Sequence, residues 1–336
     1  MKKLLLTILL LLSACNFPIL REQTATPAPT VAPVSTLVPN IPLQPTPQPG
    51  TDANPLILAL TPSAHPSADV VSAGQLLAAQ LQALTGYTIV TVAPASEVDL
   101  VQAFSLGNAH IGALSPFGYA LAYENGNINA ALASARNGQV LYGAQFIARA
   151  DQGFKSYFDP ARNENTADMF KALSQFNDKK PCWSDMASPS GYVVPLGFLN
   201  QAGVQVSTPA FVEGQAPVVR AVYGKGICDF GATYIDARAL PALESDYPDV
   251  MEKVTVIWRI PPIIPYEQIV FASSLTPEMK STLLRAFIDF AGTPEGKAAV
   301  QKVYGLDVLQ PAEDRQYKDF ITYVDKSGID LHALLK

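Results

Sequence analysis

The sequence predicts an α/β fold of two lobes with a ligand cleft between them. Strand-like and helix-like runs alternate from Pro55 to Lys336, the pattern of a parallel sheet with helices on its faces. Apolar residues in the helix-like runs recur at three to four positions, as at Leu77, Leu81 and Leu84, the period of an amphipathic helix. About 280 residues exceed what one core ordinarily holds, so two lobes are expected. Sheets of this kind bind ligands at the carboxyl ends of their strands.

The strand-like runs are Pro55–Leu60, Tyr87–Ala93, His110–Leu114, Tyr142–Arg149, Asp229–Ala232, Val254–Trp258 and Ile269–Ala272. Between and after them lie helix-like runs at Ala68–Thr85, Val98–Leu106, Thr166–Gln175, Tyr192–Ala202, Pro217–Tyr223, Pro277–Ala291 and Pro294–Val303.

The first residues are of another kind. Lys2 and Lys3 precede a run from Leu4 to Leu12 that is apolar except for Thr7. This is the charged start and apolar stretch of a secretory signal. The run is too short to span a bilayer, which takes about 20 apolar residues. It ends Leu12-Ser13-Ala14-Cys15, a pattern resembling the bacterial lipobox. Residues 1–14 are therefore expected to be removed and Cys15 to carry the lipid that holds the protein at the cell membrane. Buried acyl methylenes contribute about 0.8 kcal/mol each. Cleavage removes two of the 23 cationic side chains, so 21 face 29 acidic ones, a formal net charge of −8. Residues 15–54 form a Pro/Thr-rich linker, as in Pro45-Thr46-Pro47-Gln48-Pro49. Such a stretch has too little apolar density to bury a core. In the extended polyproline form it would reach roughly 100 Å at about 3.1 Å per residue.

Charge and composition exclude several functions. A modest negative charge without a basic cluster argues against nucleic acid. His occurs only at 65, 110 and 332, and no His–Glu or Cys–His spacing suggests a metal. No Gly-x-Ser-x-Gly elbow and no phosphate-cradling glycine loop is present. Neither metal nor cofactor is expected, and binding without catalysis is the leading reading.

Four strand ends carry short polar and aromatic residues. They are Thr61 and Ser63 after the first strand, Ser115, Phe117 and Tyr119 after the third, Ser188 to Tyr192, and Tyr234 with Asp236. In the loop Asp185-Met186-Ala187-Ser188-Pro189-Ser190-Gly191-Tyr192, Ser188 as N-cap would place Pro189 at the first helical position, where no N–H is needed. The N–H groups of Ser190 and Gly191, two hydroxyls and the helix dipole would then suit an anion. A plain Ser-capped helix remains the alternative on the loop alone. Phe117, Tyr119, Tyr192 and Tyr234 offer stacking faces.

The order of these segments resembles the phosphate/phosphite/phosphonate-binding proteins of ABC importers, a branch of the type II periplasmic binding proteins, from about Leu56 to Ala312. The resemblance rests on Leu114-Ser115-Pro116-Phe117-Gly118-Tyr119-Ala120, on Ser188-x-Ser190-Gly191-Tyr192-x-x-Pro195, and on Val218-Val219-Arg220-Ala221-Val222 leading to Gly226-Ile227-Cys228-Asp229. Arg259-Ile260-Pro261-Pro262-Ile263-Ile264-Pro265 and Pro294-Glu295-Gly296 add to it. It implies a two-lobed fold with two crossover strands, residues 55–145 plus 262–336 forming the first lobe and 146–261 the second. The lobes would close on the ligand by a hinge. It further implies that Tyr119 contacts the ligand from the first lobe and that Ser188, Ser190, Gly191 and Tyr192 hold an anionic group from the second. Asp229 matches an acidic residue of the family's turn. Two positions depart from the family: Pro189 stands where a Thr is usual, and Gln215 where a His is frequent. Each departure removes donors to a doubly charged oxyanion, so a less charged or larger ligand is also expected to fit.

The implied function is that of a monomeric solute-binding lipoprotein that delivers a small, phosphonate- or phosphite-like anion to an ABC permease. A ligand-sensing receptor subunit of the same fold is one alternative. Another is an enzyme of this fold acting on a pyrimidine-type compound, which would need Cys182 or Cys228 exposed as a nucleophile. In an oxidising compartment those two cysteines could instead form a disulfide, although parallel neighbours rarely present the required geometry.

Overall fold

Helix boundaries follow capping chemistry. Ser67 caps helix Ala68–Thr85 by accepting from the Val70 N–H, and Gly86 closes it in the left-handed conformation. Thr276 caps Pro277–Ala291, with Pro277 at the first helical position. Both helices have the bounds expected from sequence. A computed structural model describes residues 47–336. The signal sequence, Cys15 and most of the linker lie outside the described residues. Residues 47–54, expected to belong to the linker, are part of the fold. Asn54 Nδ2 donates to the Pro47 carbonyl, and the Gly50 carbonyl accepts from the Thr88 N–H.

Thirteen strands follow along the described chain: β1 (Leu56–Ala59), β2 (Ile89–Val92), β3 (Ile111–Leu114), β4 (Ile128–Ser134), β5 (Leu141–Arg149), β6 (Phe158–Asp159), β7 (Glu164–Asn165), β8 (Pro181–Trp183), β9 (Ala210–Phe211), β10 (Phe230–Tyr234), β11 (Val254–Pro265), β12 (Gln268–Ala272) and β13 (Leu309–Pro311). They form a six-stranded sheet in the order β13-β4-β12-β3-β1-β2 and a five-stranded sheet in the order β11-β5-β10-β8-β9, with β6 and β7 as a small hairpin.

Both sheets are mixed, not parallel as expected. β1 pairs in parallel with β2 and β3, but β12 is antiparallel to β3 and β4. In the second sheet β5 is antiparallel to β10 and β11. The reason lies in the two passages between sheets. After β4 and after β11 the chain crosses directly into a strand of the other sheet without an intervening helix, so β5 and β12 enter their sheets outside the strand–helix–strand repeat that keeps neighbours parallel. β5 from Leu141 and β11 through Pro265 pair wholly within the second sheet. The passages therefore fall at residues 135–140 and 266–267, displaced by several residues from the expected boundaries. The register shift between Ile260 and Ile264 coincides with Pro261 and Pro262, which have no N–H for the ladder.

A large apolar cluster under both sheets includes Leu56, Leu58, Phe146, Phe176, Trp183, Phe230, Phe287 and Phe320. Phe176 stacks on Phe230 at 4.0 Å, and Trp183 meets Phe230 edge-on. A smaller cluster gathers Ile147, Cys182, Val218, Val222, Cys228, Leu243 and Val256. The helix Lys318–Ser327 lies against Val194–Gln201 of the second lobe. There Tyr323 stacks on Phe198 at 3.6 Å, and Asn200 Nδ2 donates to the Lys326 carbonyl. The same helix reaches the first lobe through Phe320, which stacks with Phe117. The C-terminal segment thus touches both lobes instead of belonging to the first alone. Among the described residues no helix is long and apolar enough to cross a membrane.

A candidate ligand cleft between the two sheets

Helix starts from both lobes meet at one cleft. Ser115 caps the helix Pro116–Glu124, its hydroxyl accepting from the Gly118 N–H. Opposite, Ser188 caps a wide turn at Pro189–Val193 that continues into the helix Val194–Gln201. A turn of this wide type recurs at functional sites. Pro189 occupies the first position, as its fixed φ and missing N–H predict. Gly214, at φ 120°, turns the chain into helix Gln215–Gly224 and so brings Gln215 beside Ser188. The enclosed space is about 710 Å³ and is lined by Glu97, Ser115, Phe117, Arg136, Tyr142, Ser188, Ser190, Gln215, Tyr234, Tyr266 and Glu267, among others. That volume suits a small molecule.

The second-lobe wall is a connected set of polar groups. The Ser188 hydroxyl accepts from the Gly191 N–H at 3.0 Å and from Gln215 Nε2 at 3.3 Å. Gln215 Oε1 accepts from the Tyr234 N–H at 3.1 Å. Both ends of the Gln215 amide are thus used to brace the Ser188 turn against β10. The Ser190 N–H lies in the first turn, where N–H groups have no intrahelical partner. Burial pushes the nearby Tyr142 phenol up to about 12, against a lowering effect of the Ser190 side chain.

The first-lobe wall is acidic. Glu97, in the first turn of helix Glu97–Ser105, accepts from the Ser115 N–H at 2.6 Å and from the Ser115 hydroxyl at 2.8 Å. Burial raises its pKa against the lowering effect of those bonds, and Glu267 raises it further. Arg136 pairs with Glu267 at 3.5 Å and lies 4.5 Å over the Tyr266 ring. Tyr266 in turn stacks on Tyr142 at 4.9 Å.

The structure brings Ser115, Phe117, Ser188, Ser190, Gln215 and Tyr234 to the cleft. Thr61 lines an adjoining space of about 420 Å³, its hydroxyl held by the Val303 carbonyl. Ser63 sits in an exposed turn, accepting from the His65 N–H. Gly191 is buried with its N–H committed to Ser188.

Three expected contacts point elsewhere. Tyr119 is fully buried. Its hydroxyl donates to Asp314 at 2.7 Å, and burial beside that carboxylate raises its pKa strongly. Phe117 and Tyr119 are two residues apart on one helix, about 200° around its axis, so one cleft cannot hold both. Tyr192 packs on Trp183 and Phe211. Asp236 is bound by Arg238 at 2.6 Å, by Gln145 at 2.7 Å and by Arg259 at 3.4 Å. Burial raises its pKa, but Arg238 with the other donors holds it below the ordinary range. Asp229, outside the cleft, accepts from the Lys180 N–H and ties β8 to the start of β10.

The placement of Tyr119 sets a test. Tyr119→Phe is expected to lower stability by about 1.5–3 kcal/mol, the range for a hydrogen bond to a charged group, and to leave ligand affinity unchanged. Urea melts and calorimetric titration check the two halves.

Glu97, Arg136, Tyr142, Tyr266 and Glu267 were not expected at the site. They come from the first turn of one helix, from the two inter-sheet passages and, for Tyr142, from the start of β5, segments that carry no strand-end motif.

Cys182 and Cys228 form a disulfide with a Cα–Cα distance of 5.6 Å. Cys182 lies on β8, but Cys228 lies in the turn before β10, so the pair escapes the geometry of facing parallel strands. Both are buried, which removes the exposed thiol that the catalytic alternative requires. His110 is buried as well and accepts from the Ile57 N–H at 3.1 Å. Burial lowers its pKa, which suits a neutral structural imidazole.

Comparison with known proteins agrees with this geometry. XAC2383 from Xanthomonas citri, solved bound to ATP, is 15% identical, with 81% of this chain and 98% of that chain covered at a TM-score of 0.57. Transferrin 1 from Manduca sexta is 11% identical, covering 81% of this chain and 46% of that one at a TM-score of 0.51. Both likenesses concern the two-lobed fold. PhnD1 from Prochlorococcus marinus, in complex with methylphosphonate, is 16% identical, with 81% and 98% covered and a TM-score of 0.47. No match was found among curated proteins. A family profile described as "ABC transporter, phosphonate, periplasmic substrate-binding protein" matches residues 59–317, most of the chain. The chain therefore belongs to the phosphonate ABC-transporter periplasmic substrate-binding family, as an extracytoplasmic solute-binding protein of an importer with a type II, two-lobed fold.

Proposed function

We propose that the protein captures a small anionic solute between its lobes, performs no chemistry on it, and delivers it as a monomer to a membrane permease. The first lobe comprises mainly residues 55–145 plus 262–336, and the second 146–261. The ligand residues are Ser115, Phe117, Ser188, Ser190, Gln215 and Tyr234. The observation that carries this reading is the Ser188 hydroxyl. Its two acceptor positions are filled by Gly191 and Gln215, so its one proton is left to donate. That proton belongs to a cleft-lining residue beside the unpaired Ser190 N–H, and an anion satisfies both.

A melting screen of the full chain against phosphate, phosphite, alkylphosphonates, sulfonates and nucleosides tests the reading. Ligand at 100 times its Kd is expected to add about 2.7 kcal/mol of stability. Ser188→Ala is expected to weaken the active ligand about tenfold and to cost about 1 kcal/mol in the lost cap. No melting shift with any anion, or a shift that Ser188→Ala leaves intact, would count against the site.

The protein is held at the cell membrane by a lipid on Cys15. Support comes from the apolar run ending Leu12-Ser13-Ala14-Cys15. Bacteria fed labelled palmitate are expected to label the native chain and not Cys15→Ala; equal labelling of the two would refute the anchor.

A further inference from the structure

Resting on that reading, we infer that Ser184 is a positioning residue, a reserve donor whose hydroxyl takes over the Ser188 oxygen when the ligand draws Gln215 away. Ser184 directly follows β8 and is fully buried. Its main chain ties together the two segments that carry the second-lobe ligand groups. The Ser184 N–H donates to the Gly191 carbonyl at 3.2 Å, and the Ser184 carbonyl accepts from the Gly214 N–H at 3.3 Å. Its hydroxyl, by contrast, has no hydrogen-bond partner among the described residues. A buried hydroxyl left unpaired lowers stability, a cost that alanine in its place would not carry.

The orphan hydroxyl stands next to the oxygen it serves. A Cβ on Gly191 would lie 2.0 Å from the Ser184 Oγ and 2.9 Å from the Ser188 Oγ, so the two hydroxyls flank the same Cα. Any residue but glycine at 191 would put a carbon between them. Both acceptor positions of Ser188 are filled, by the Gly191 N–H at 3.0 Å and by Gln215 Nε2 at 3.3 Å, and Ser184 has nothing to donate to there. The longer of those two bonds is the one an anion competes for, because a hydrogen bond to a charged acceptor is roughly twice as strong as a neutral one. When the anion takes Gln215 Nε2, one acceptor position on Ser188 falls free and the Ser184 hydroxyl turns into it. The ligand gains a donor and the wall loses no hydrogen bond. Donation into the Ser188 oxygen also polarises the Ser188 O–H toward the anion. The pairing that Ser184 lacks in the free protein is thus supplied on ligand capture, and its cost is returned as affinity.

The test compares four full chains: native, Ser184→Ala, Gln215→Ala and the double variant. Each is melted without ligand and titrated by calorimetry with phosphate, methylphosphonate and methanesulfonate, and an unchanged far-UV spectrum checks the fold. Ser184→Ala is expected to melt about 2–4 °C above the native chain without ligand, since it removes an unpaired buried hydroxyl. It is expected to bind the anion about three- to tenfold more weakly, as the loss of one hydrogen bond implies. In the Gln215→Ala background the Ser188 position is already free, and Ser184 is paired with it before any ligand arrives. There the added Ser184→Ala is expected to lower Tm instead of raising it, a change of sign that needs no ligand to be read. A residue that only packs behind the turn would shift Tm alike in both backgrounds and would not trade stability for affinity. Unchanged or tighter binding by Ser184→Ala, or a Tm shift of the same sign in both backgrounds, overturns the role of Ser184 and leaves the anion site standing. If none of the three anions shifts the native melt, the small-anion cleft itself fails and this inference with it.

Discussion

Asp236→Ala is expected to lower stability at neutral pH by about 3–5 kcal/mol, the cost of removing one partner from a buried ion pair. At about 2–4 °C per kcal/mol for a chain of this size, Tm would fall by roughly 6–20 °C. The carboxylate accepts from Arg238, Gln145 and Arg259, and the Arg238 side chain is only 10% exposed. Without Asp236 two guanidinium groups are left without their carboxylate; Arg238 keeps only the Val254 carbonyl. The effect has a defined pH dependence. Burial raises the carboxyl pKa, but Arg238 and Gln145 outweigh it and the folded-state pKa is depressed. A depressed carboxyl pKa contributes stability that is present above the unfolded-state value and is lost as pH falls through the folded value. The gap between native and variant melts should therefore be full at neutral pH and narrow below the ordinary carboxylate range. Guanidinium melts at pH 7 and pH 3 measure it. An equal gap at both, or none at pH 7, would remove the ion cluster as a stabilising element.

Cysteine replacement is expected to have the second large effect. The bond between Cys182 and Cys228 closes a loop of 46 positions, and loop-closure entropy for that length corresponds to about 4 kcal/mol. The double variant Cys182→Ala/Cys228→Ala is expected to melt about 8–16 °C lower at the same conversion. Reductant should lower the native melt toward that of the double variant and leave the variant unmoved. A native melt insensitive to reductant would show that the bond does not contribute. Ligand affinity should change little, because the bond lies in the smaller apolar cluster with Val218, Val222 and Leu243, behind the cleft wall.

Much of the architecture was legible because local chemistry coincides with global packing in these stretches. Ser67, Thr276 and Thr293 are side-chain caps at true helix starts, and β1, β3 and β12 are short apolar runs between polar breaks. Other elements were not legible. β4 reads Ile128-Asn129-Ala130-Ala131-Leu132-Ala133-Ser134, with neither alternation nor β-branched density. Pairing on both edges, with β12 and β13, makes it a strand. The helix Lys318–Ser327 has a well-marked apolar face, but nothing local says that this face is divided between Phe117 of one lobe and Phe198 of the other.

The same division runs through the site. Ser188 and Pro189 declare a helix start by their own chemistry, and the structure realises it. Helical geometry already separates Phe117 from Tyr119, although strand-end motifs suggested both. Glu97, Arg136 and Glu267 carry no local sign of a shared role. They meet only because the chain passes twice between the sheets.

The sequence by itself determined the α/β class and the capped turn at Ser188–Gly191, since each depends on residues within one or two turns of one another. Only the tertiary structure decided the direction of the crossover strands, the union of Cys182 with Cys228, the use of Tyr119 and Asp236 as internal braces, and the acidic first-lobe wall. Those depend on which distant segments come within a hydrogen bond of each other. That is settled by closure of two cores at once and not by the preference of any single stretch.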